Sequence, residues 1–478
     1  MSSAKRIYLN AFEMACVGHQ APGLWRHPDD QAHRYTQLSY WTELARLLDR
    51  GGFDALFLAD VLGVYDVYEG SHAAAVREAT QVPLLDPLPL VGAMAAVTER
   101  LGFGVTVSLT YEQPYALARR LTTLDHLTGG RVAWNVVTSY LESAARNLGF
   151  DAQRKHDDRY DVGDEFLDVV YQLWEYSWDD DAVVRDAARG VFTDPDKVRP
   201  IDHHGRYYDV PGIFLSEPSP QRTPVIFQAG ASTRGRAFAA KHGEAIFINA
   251  VDVAATRRLV DDIRARVAEG GRDPASVKIF ILLTAIAGET DAEAEAKLAD
   301  YYAHASIDGA LALYGGWSGL DLSGHDPDTP LAYQDTDAAR SALEIFTKAD
   351  PTRTWTPREV ARYLTLGGIG PVVAGSPTTI ADELERWVDA SGVDGFNLAY
   401  AVAPGTFEDF VALVVPELRR RGRIPDAEDA GAALSLRERL TGSGPHVADG
   451  HPAAVHRARR LAAGGAPTAA APSAEAAA

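Results

Sequence analysis

The chain has 478 residues, 46% hydrophobic and 23% charged, which is the composition of a globular enzyme rather than a disordered segment. Its 66 acidic against 46 basic residues leave a formal charge of −20, which argues against a nucleic-acid or anionic-membrane partner, since both need a basic face. A single cysteine, Cys16, excludes an intrachain disulfide, and no run reaches the length of a membrane span or reads as a signal peptide, so a cytoplasmic protein is expected.

In chain order, β-branched and aromatic runs alternate with helical patterns. Strands are expected at 6–12, 54–60, 102–108, 131–139, 223–230, 244–249, 278–288 and 394–402. Helices are expected over Tyr40–Asp49, Leu88–Arg100, Tyr115–Leu127, Val162–Trp174, Val253–Ala268, Ala292–His304 and Thr379–Ser391. Strand–helix alternation implies a parallel sheet. Strands that are apolar on both faces fit a sheet covered on both sides. Eight such units point to a (β/α)₈ TIM barrel; a doubly wound open sheet is less favoured, because no G-x-G-x-x-G follows the first strand.

Two stretches, about 177–222 and 308–376, exceed ordinary loops and are expected to decorate the catalytic face as lids. The barrel is placed at 1–425, and the Ala/Pro/Gly-drifting stretch 426–478 is expected to be a low-complexity, disordered tail.

Barrel chemistry sits at the C-terminal ends of strands, so polar residues that close a strand are candidates. "FLAD" ends at Asp60, "VTVS" carries Thr106 and Ser108, and "RVAWNVVTSY" holds Asn135 and closes on Thr138, Ser139 and Tyr140. "FQAGAST" brings Ser232 to a loop that opens a helix near Arg234, where backbone N–H groups and a hydroxyl form an anion site. Each hydroxyl taken alone reads equally as a helix cap. In "KHDDRYD", His156 and Tyr160 share a face if the helix begins early. His203–His204 and His19 lack zinc-ligand spacing, and no Walker loop or G-x-S-x-G elbow is present.

The blocks "LNAFEMACVGHQAPGLWRHP", "TLDHLTGGRVAWNVVTSY", "KHDDRYD", "EPSPQRTPVIFQAGAS" and "DGFNLAYAVAPGTFEDF" resemble the luciferase-like flavin monooxygenases over roughly residues 5 to 425. Within them the chain is similar to the nitrilotriacetate, dibenzothiophene-sulfone and long-chain alkane monooxygenase group, and most to the branch that oxidises small organosulfur compounds such as dimethyl sulfide. "LALYGGWSGLDL", "NVVTSYLESAARNLG" and the late "HPAA" carry that closeness. The resemblance implies a (β/α)₈ barrel, reduced FMN and O₂ as co-substrates, a separate NAD(P)H-dependent flavin reductase as partner, and a dimer or tetramer. It places Asp60, Thr106, Asn135, Ser139, His156, Tyr160 and Ser232 around the flavin, and Cys16, His19, Tyr65, Gln81 and Tyr140 near the reaction centre. The alkane members carry histidines where this chain has Tyr140 and, in "GALALYGGW", Ala310 and Leu313; that difference disfavours a long alkane. Cleavage of riboflavin to lumichrome and ribose with reduced FMN and O₂, and a non-catalytic flavin-binding role, remain alternatives. Deazaflavin-dependent oxidoreductases share the fold.

Overall fold

The structure is a computed structural model that describes residues 5–230, 232–333, 338, 340–348, 353–426 and 434–464. Eight parallel strands close on themselves: β1 (Tyr8–Met14), β2 (Ala55–Ala59), β3 (Gly102–Ser108), β4 (Val132–Val137), β5 (Val225–Ala229), β6 (Ala245–Ile248), β7 (Lys278–Ala287) and β8 (Gly395–Ala399). Each pairs with its chain neighbours, and β8 returns to β1 in the register Asn10↔Asn397, so the sheet has no free edge around the ring. All eight expected strands are present, and the architecture is the expected (β/α)₈ barrel. No helix among the described residues is long and apolar enough to cross a membrane.

Strand alternation splits the core in two. Leu9, Leu56, Phe103, Ile246, Ile279, Ile281 and Leu398 face outward and are buried under helices α1 (Leu38–Gly51), α6 (Val253–Glu269) and α11 (Pro377–Ser391). Inward, Phe12, Phe57, Phe227, Phe247 and Phe280 form a continuous aromatic layer with neighbouring centroids 4.6–5.7 Å apart. Gly104 makes room for it: a Cβ there would lie 2.6 Å from the Phe227 ring.

The intervening helices, α2 (Leu88–Ala95), α3 (Pro114–Thr128), α4 (His156–Tyr171) and α5 (Thr233–His242), differ from expectation at two ends. Helix α2 stops five residues early because the Asp49 carboxylate accepts the N–H groups of Glu99, Arg100 and Leu101 at 3.2, 3.0 and 2.7 Å, satisfying the backbone in a turn instead. Helix α4 begins at His156, six residues early, with Asp157 and Asp158 favourably placed in its first turn.

The two insertions differ. Residues 308–376 contribute α8 (Ile307–Ser318), α9 (Arg340–Thr347) and α10 (Pro357–Leu364), which follow α7 (Asp291–His304) at the C-terminal rim of the barrel. Stretch 177–222 instead forms two small antiparallel hairpins against the outer side of α4, where Glu165 accepts the N–H groups of Arg206, Tyr207 and Tyr208. None of its residues lines the central cavity, so the lid expected there is not one.

The tail also departs from expectation. Residues 434–464 carry α13 (Leu436–Thr441) and α14 (Ala454–Gly464), with α12 (Val415–Arg420) preceding them; positions 427–433 and 465–478 lie outside the described residues. Leu436 and Leu440 join the inward aromatic cluster and plug the N-terminal end of the barrel. Between them, buried Arg437 meets Glu244 through two hydrogen bonds of 2.7 and 2.9 Å and donates to the carbonyls of Thr223 and Pro445. That pairing holds the Glu244 carboxyl down at about 2 against its burial. Composition hid a short amphipathic plug beside a genuinely Ala-rich end.

Two outcomes are expected. Arg437→Met leaves Glu244 buried and unpaired, so chemical denaturation should show a loss of about 3–5 kcal/mol, partly recovered by adding Glu244→Gln. Separately, burial pushes the Glu13 carboxyl from 4.5 up to about 8, with the Tyr40 hydroxyl 2.9 Å away acting in the opposite sense. The folded protein keeps a proton that the unfolded chain releases above about 4.5, so this group makes stability fall as pH rises between about 4.5 and 8. Melting curves across that window should be flatter for Glu13→Gln.

Candidate active site

At the C-terminal ends of the strands the interior is hollow, with a cavity of about 310 Å³, at the small end of the range for small-molecule sites. The phenylalanine layer is its floor through Phe12, Phe57 and Phe247. Ten of the twelve singled-out residues line it: His19, Gln81 and Tyr140, together with Asp60, Thr106, Asn135, Ser139, His156, Tyr160 and Ser232. Ser139 adopts a left-handed backbone (φ 55°), which costs a non-glycine residue about 1–2 kcal/mol and turns the chain sharply at the strand end.

One side of the cavity gathers polar side chains at a helix start. Ser232 caps α5 by accepting the Gly235 N–H at 3.0 Å, and His156 Nε2 lies 3.4 Å from its hydroxyl. His156 is oriented by Asp157 at 2.7 Å, and its ring packs 5.4 Å from that of Tyr160, as the early start of α4 requires. A Cβ on Gly235 would meet the Tyr160 hydroxyl at 2.9 Å and Ser232 Oγ at 3.0 Å, so glycine lets the two hydroxyls converge. Arg159, 2% exposed, lines the same side; in sequence it was hidden inside "KHDDRYD" among acids. Against a net charge of −20, such local donors are what an anionic ligand requires.

The middle of the cavity carries acceptors without partners. Asn135 donates to Thr106 at 2.9 Å, but its Oδ1 is unsatisfied, as are Gln228 Oε1, Asn397 Oδ1, Gln20 Oε1 and Ser108 Oγ. Buried polar atoms left unpaired cost about 1–3 kcal/mol each, so this set is complementary to a ligand with several N–H or O–H donors. Gln228, Asn249 and Gln20 escaped sequence reading because nothing local marks which face of a strand or loop meets the hollow.

Asp60 closes β2 at the cavity wall, where burial, and then the charge of Asp86, raise its carboxyl to about 7. Burial lowers His19 to about 3, so the ring is neutral. Its backbone carbonyl accepts Gln81 Nε2 at 3.0 Å; Gln81 Oε1 accepts the Tyr65 hydroxyl at 2.6 Å, and that hydroxyl lies 2.9 Å from Tyr140. Tyr65 thus stands one hydrogen bond behind the wall. Cys16 does not line the cavity: it is 2% exposed, and burial with neighbouring Glu13 and Asp60 pushes its thiol well up, which removes it as a nucleophile.

The two His–His and Gly–His stretches hold no shared site. His203 pairs with Glu165, while His204 pairs with Asp202 and Asp209 on an exposed hairpin. A separate cluster of His27, Asp300 and His304 lies outside the cavity. There Nδ1 of His27 accepts the Asp29 N–H at 3.2 Å, which puts the ring proton on Nε2, where it donates to Asp300 at 3.0 Å.

Residues 22–395 match the family model described as luciferase-like monooxygenase. The dimethyl-sulfide monooxygenase of Hyphomicrobium sulfonivorans is 57% identical over 95% of this chain and 94% of its own length. The long-chain alkane monooxygenase of Geobacillus thermodenitrificans is 50% identical over 95% and 98%. A crystal structure of a riboflavin lyase with modified FMN and riboflavin superposes with a TM-score of 0.89 at 36% identity, covering 95% of this chain and all of that one. With the barrel, the match across most of its length and these relatives, the chain belongs to the luciferase-like monooxygenases.

Proposed function

We propose that this protein is the oxygenase of a two-component system, using reduced FMN from a separate NAD(P)H-dependent reductase and O₂ to cleave a C–S bond in a small, uncharged organosulfur compound of the dimethyl-sulfide type. The observation that carries the reading is the split of the cavity: donors at one side, unpaired acceptors in the middle, and above the phenylalanine floor an apolar end formed by Leu282, Trp317 and Ile369. Ser232, His156, Arg159 and Tyr160 would hold the cofactor's phosphate, and Asn135, Gln228 and Asn397 would accept hydrogen bonds from its ring system. When bound, reduced FMN supplies the two electrons that let O₂ give one atom to the substrate and the other to water.

The chain's own residues do the remaining work. The helix start at Ser232 and the α4 side chains fix one end of the cofactor, the phenylalanine floor excludes water from below, and the apolar end offers no charge that would favour an ionic substrate. Asp60 carries the one carboxylate of the cavity lining among the described residues, and because it titrates near 7 it sheds its charge readily when an anion arrives. The 57% identity to a dimethyl-sulfide monooxygenase supports the substrate class. The riboflavin lyase likeness keeps flavin cleavage as a second reading, and product analysis separates the two.

The deciding experiment follows reoxidation of enzyme-bound reduced FMN in oxygenated buffer with dimethyl sulfide and, separately, with riboflavin. Sulfide-dependent release of a thiol is expected; lumichrome from riboflavin without sulfide turnover would overturn the reading. Ser232→Ala with Tyr160→Phe should weaken FMN binding by about 1.5–3 kcal/mol in a fluorescence titration. Since protonated Asp60 removes a negative charge facing an anionic cofactor, reduced-FMN affinity should fall as pH rises through about 7. Asp60→Asn should lack that step in parallel titrations, and an unchanged profile would remove Asp60 from the site.

A further inference from the structure

The "GALALYGGW" segment forms α8, which packs directly against the stretch carrying Tyr65. Two glycines permit that approach: a Cβ on Gly316 would enter the Tyr65 ring, and one on Gly315 would touch the Tyr68 nitrogen at 3.3 Å. Trp317 follows at the end of this contact, half-buried, and lines the cavity beside Ile369 and Ala342. Its indole is clamped. Nε1 donates to the Tyr65 hydroxyl at 3.2 Å, and that oxygen, having given its own proton to Gln81, can only accept here. The far edge of the ring, Cη2, lies 3.5 Å from where a Cβ on Gly368 would stand, and Gly368 has φ 60° and donates its N–H to the Gln20 carbonyl. Beyond the indole lies the apolar core of the insertion, with Tyr314, Phe346 and Leu320.

We propose that Trp317 is the specificity-determining end wall that limits the substrate to short alkyl groups, a claim that rests on the organosulfur reading above. A side chain tied by its N–H to Tyr65 and packed on the insertion's apolar cluster resists swinging aside to admit a longer chain. A Cβ on Gly316 would displace the Tyr65 ring that holds the indole, and one on Gly368 would strike Gln20 Oε1. Because one methylene in an apolar pocket is worth about 10–200-fold in discrimination, a fixed wall separates dimethyl from dibutyl sulfide strongly. Removing the ring enlarges the cavity toward the apolar cluster of Tyr314 and Phe346.

The test measures equilibrium binding of dimethyl, diethyl, dipropyl and dibutyl sulfide to the oxidised-FMN complex, read from the flavin absorbance. Parent, Trp317→Phe, Trp317→Leu and Trp317→Ala proteins are compared, with FMN affinity and melting temperature as controls. The parent should lose affinity abruptly as the alkyl chains lengthen, and Trp317→Phe should keep that order. Trp317→Leu and Trp317→Ala should raise the dibutyl-to-dimethyl ratio by at least about ten-fold. A ratio unchanged in both shortened variants overturns the proposal; if alanine prevents folding, leucine decides alone. A parent that shows the cut-off but oxidises none of the sulfides would refute the organosulfur reading while leaving the wall in place.

Discussion

Closing eight parallel strands into a barrel creates an interior that the strands' own side chains must fill, and everything else here follows from how they do so. Five phenylalanines, one each from β1, β2, β5, β6 and β7, occupy the waist. Glycine stands opposite on β3, where any larger residue would collide with Phe227. Below this layer Leu436 and Leu440 pack onto it; above it Asn135, Thr106, Ser139 and Gln228 line the open space. The cavity is the space these residues fail to fill.

That failure explains the electrostatics of the site. Asn135, Gln228 and Asn397 are buried by the barrel wall, yet each leaves its amide oxygen without a partner, which is costly in an empty site. Low dielectric around the same space shifts the groups that titrate: His19 is held neutral and Asp60 is raised to neutrality's edge. On one side of the cavity, Ser232 at a helix start and His156, Arg159 and Tyr160 on one turn of α4 gather hydrogen-bond donors locally.

The lower half depends on a segment remote in sequence. Leu436 and Leu440 seal the barrel floor, and Arg437 reaches past them to Glu244 beside β6. His456 and Arg460 of α14 then bind Asp168 on α4 and Asp180 beyond it, so the tail grips the helix whose first turn lines the cavity. The stretch 177–222 completes that outer face, with Asp180 and Arg222 near its two ends paired to each other, rather than lining the cavity.

Much of this architecture is legible in the amino-acid order itself. Eight strand-like runs alternating with helical patterns, several of them apolar on both faces, point to a parallel sheet covered on two sides. The hydroxyls ending β4 and the His156–Tyr160 spacing mark the site, because strand ends and helical periodicity are local rules. Residues whose position depends on distant packing are not legible in that way. Trp317 reaches the cavity only because Gly315 and Gly316 let α8 lie against Tyr65, and Arg159 is disguised by flanking acids. Cys16, beside His19 in sequence, faces away from the hollow, since burial is decided by neighbours and not by adjacency. Composition misjudges the tail, because a six-residue plug leaves no mark in an average. Sequence alone therefore determined the strands, their order and the chemistry of their ends, whereas only tertiary contact decided which side chains share one space.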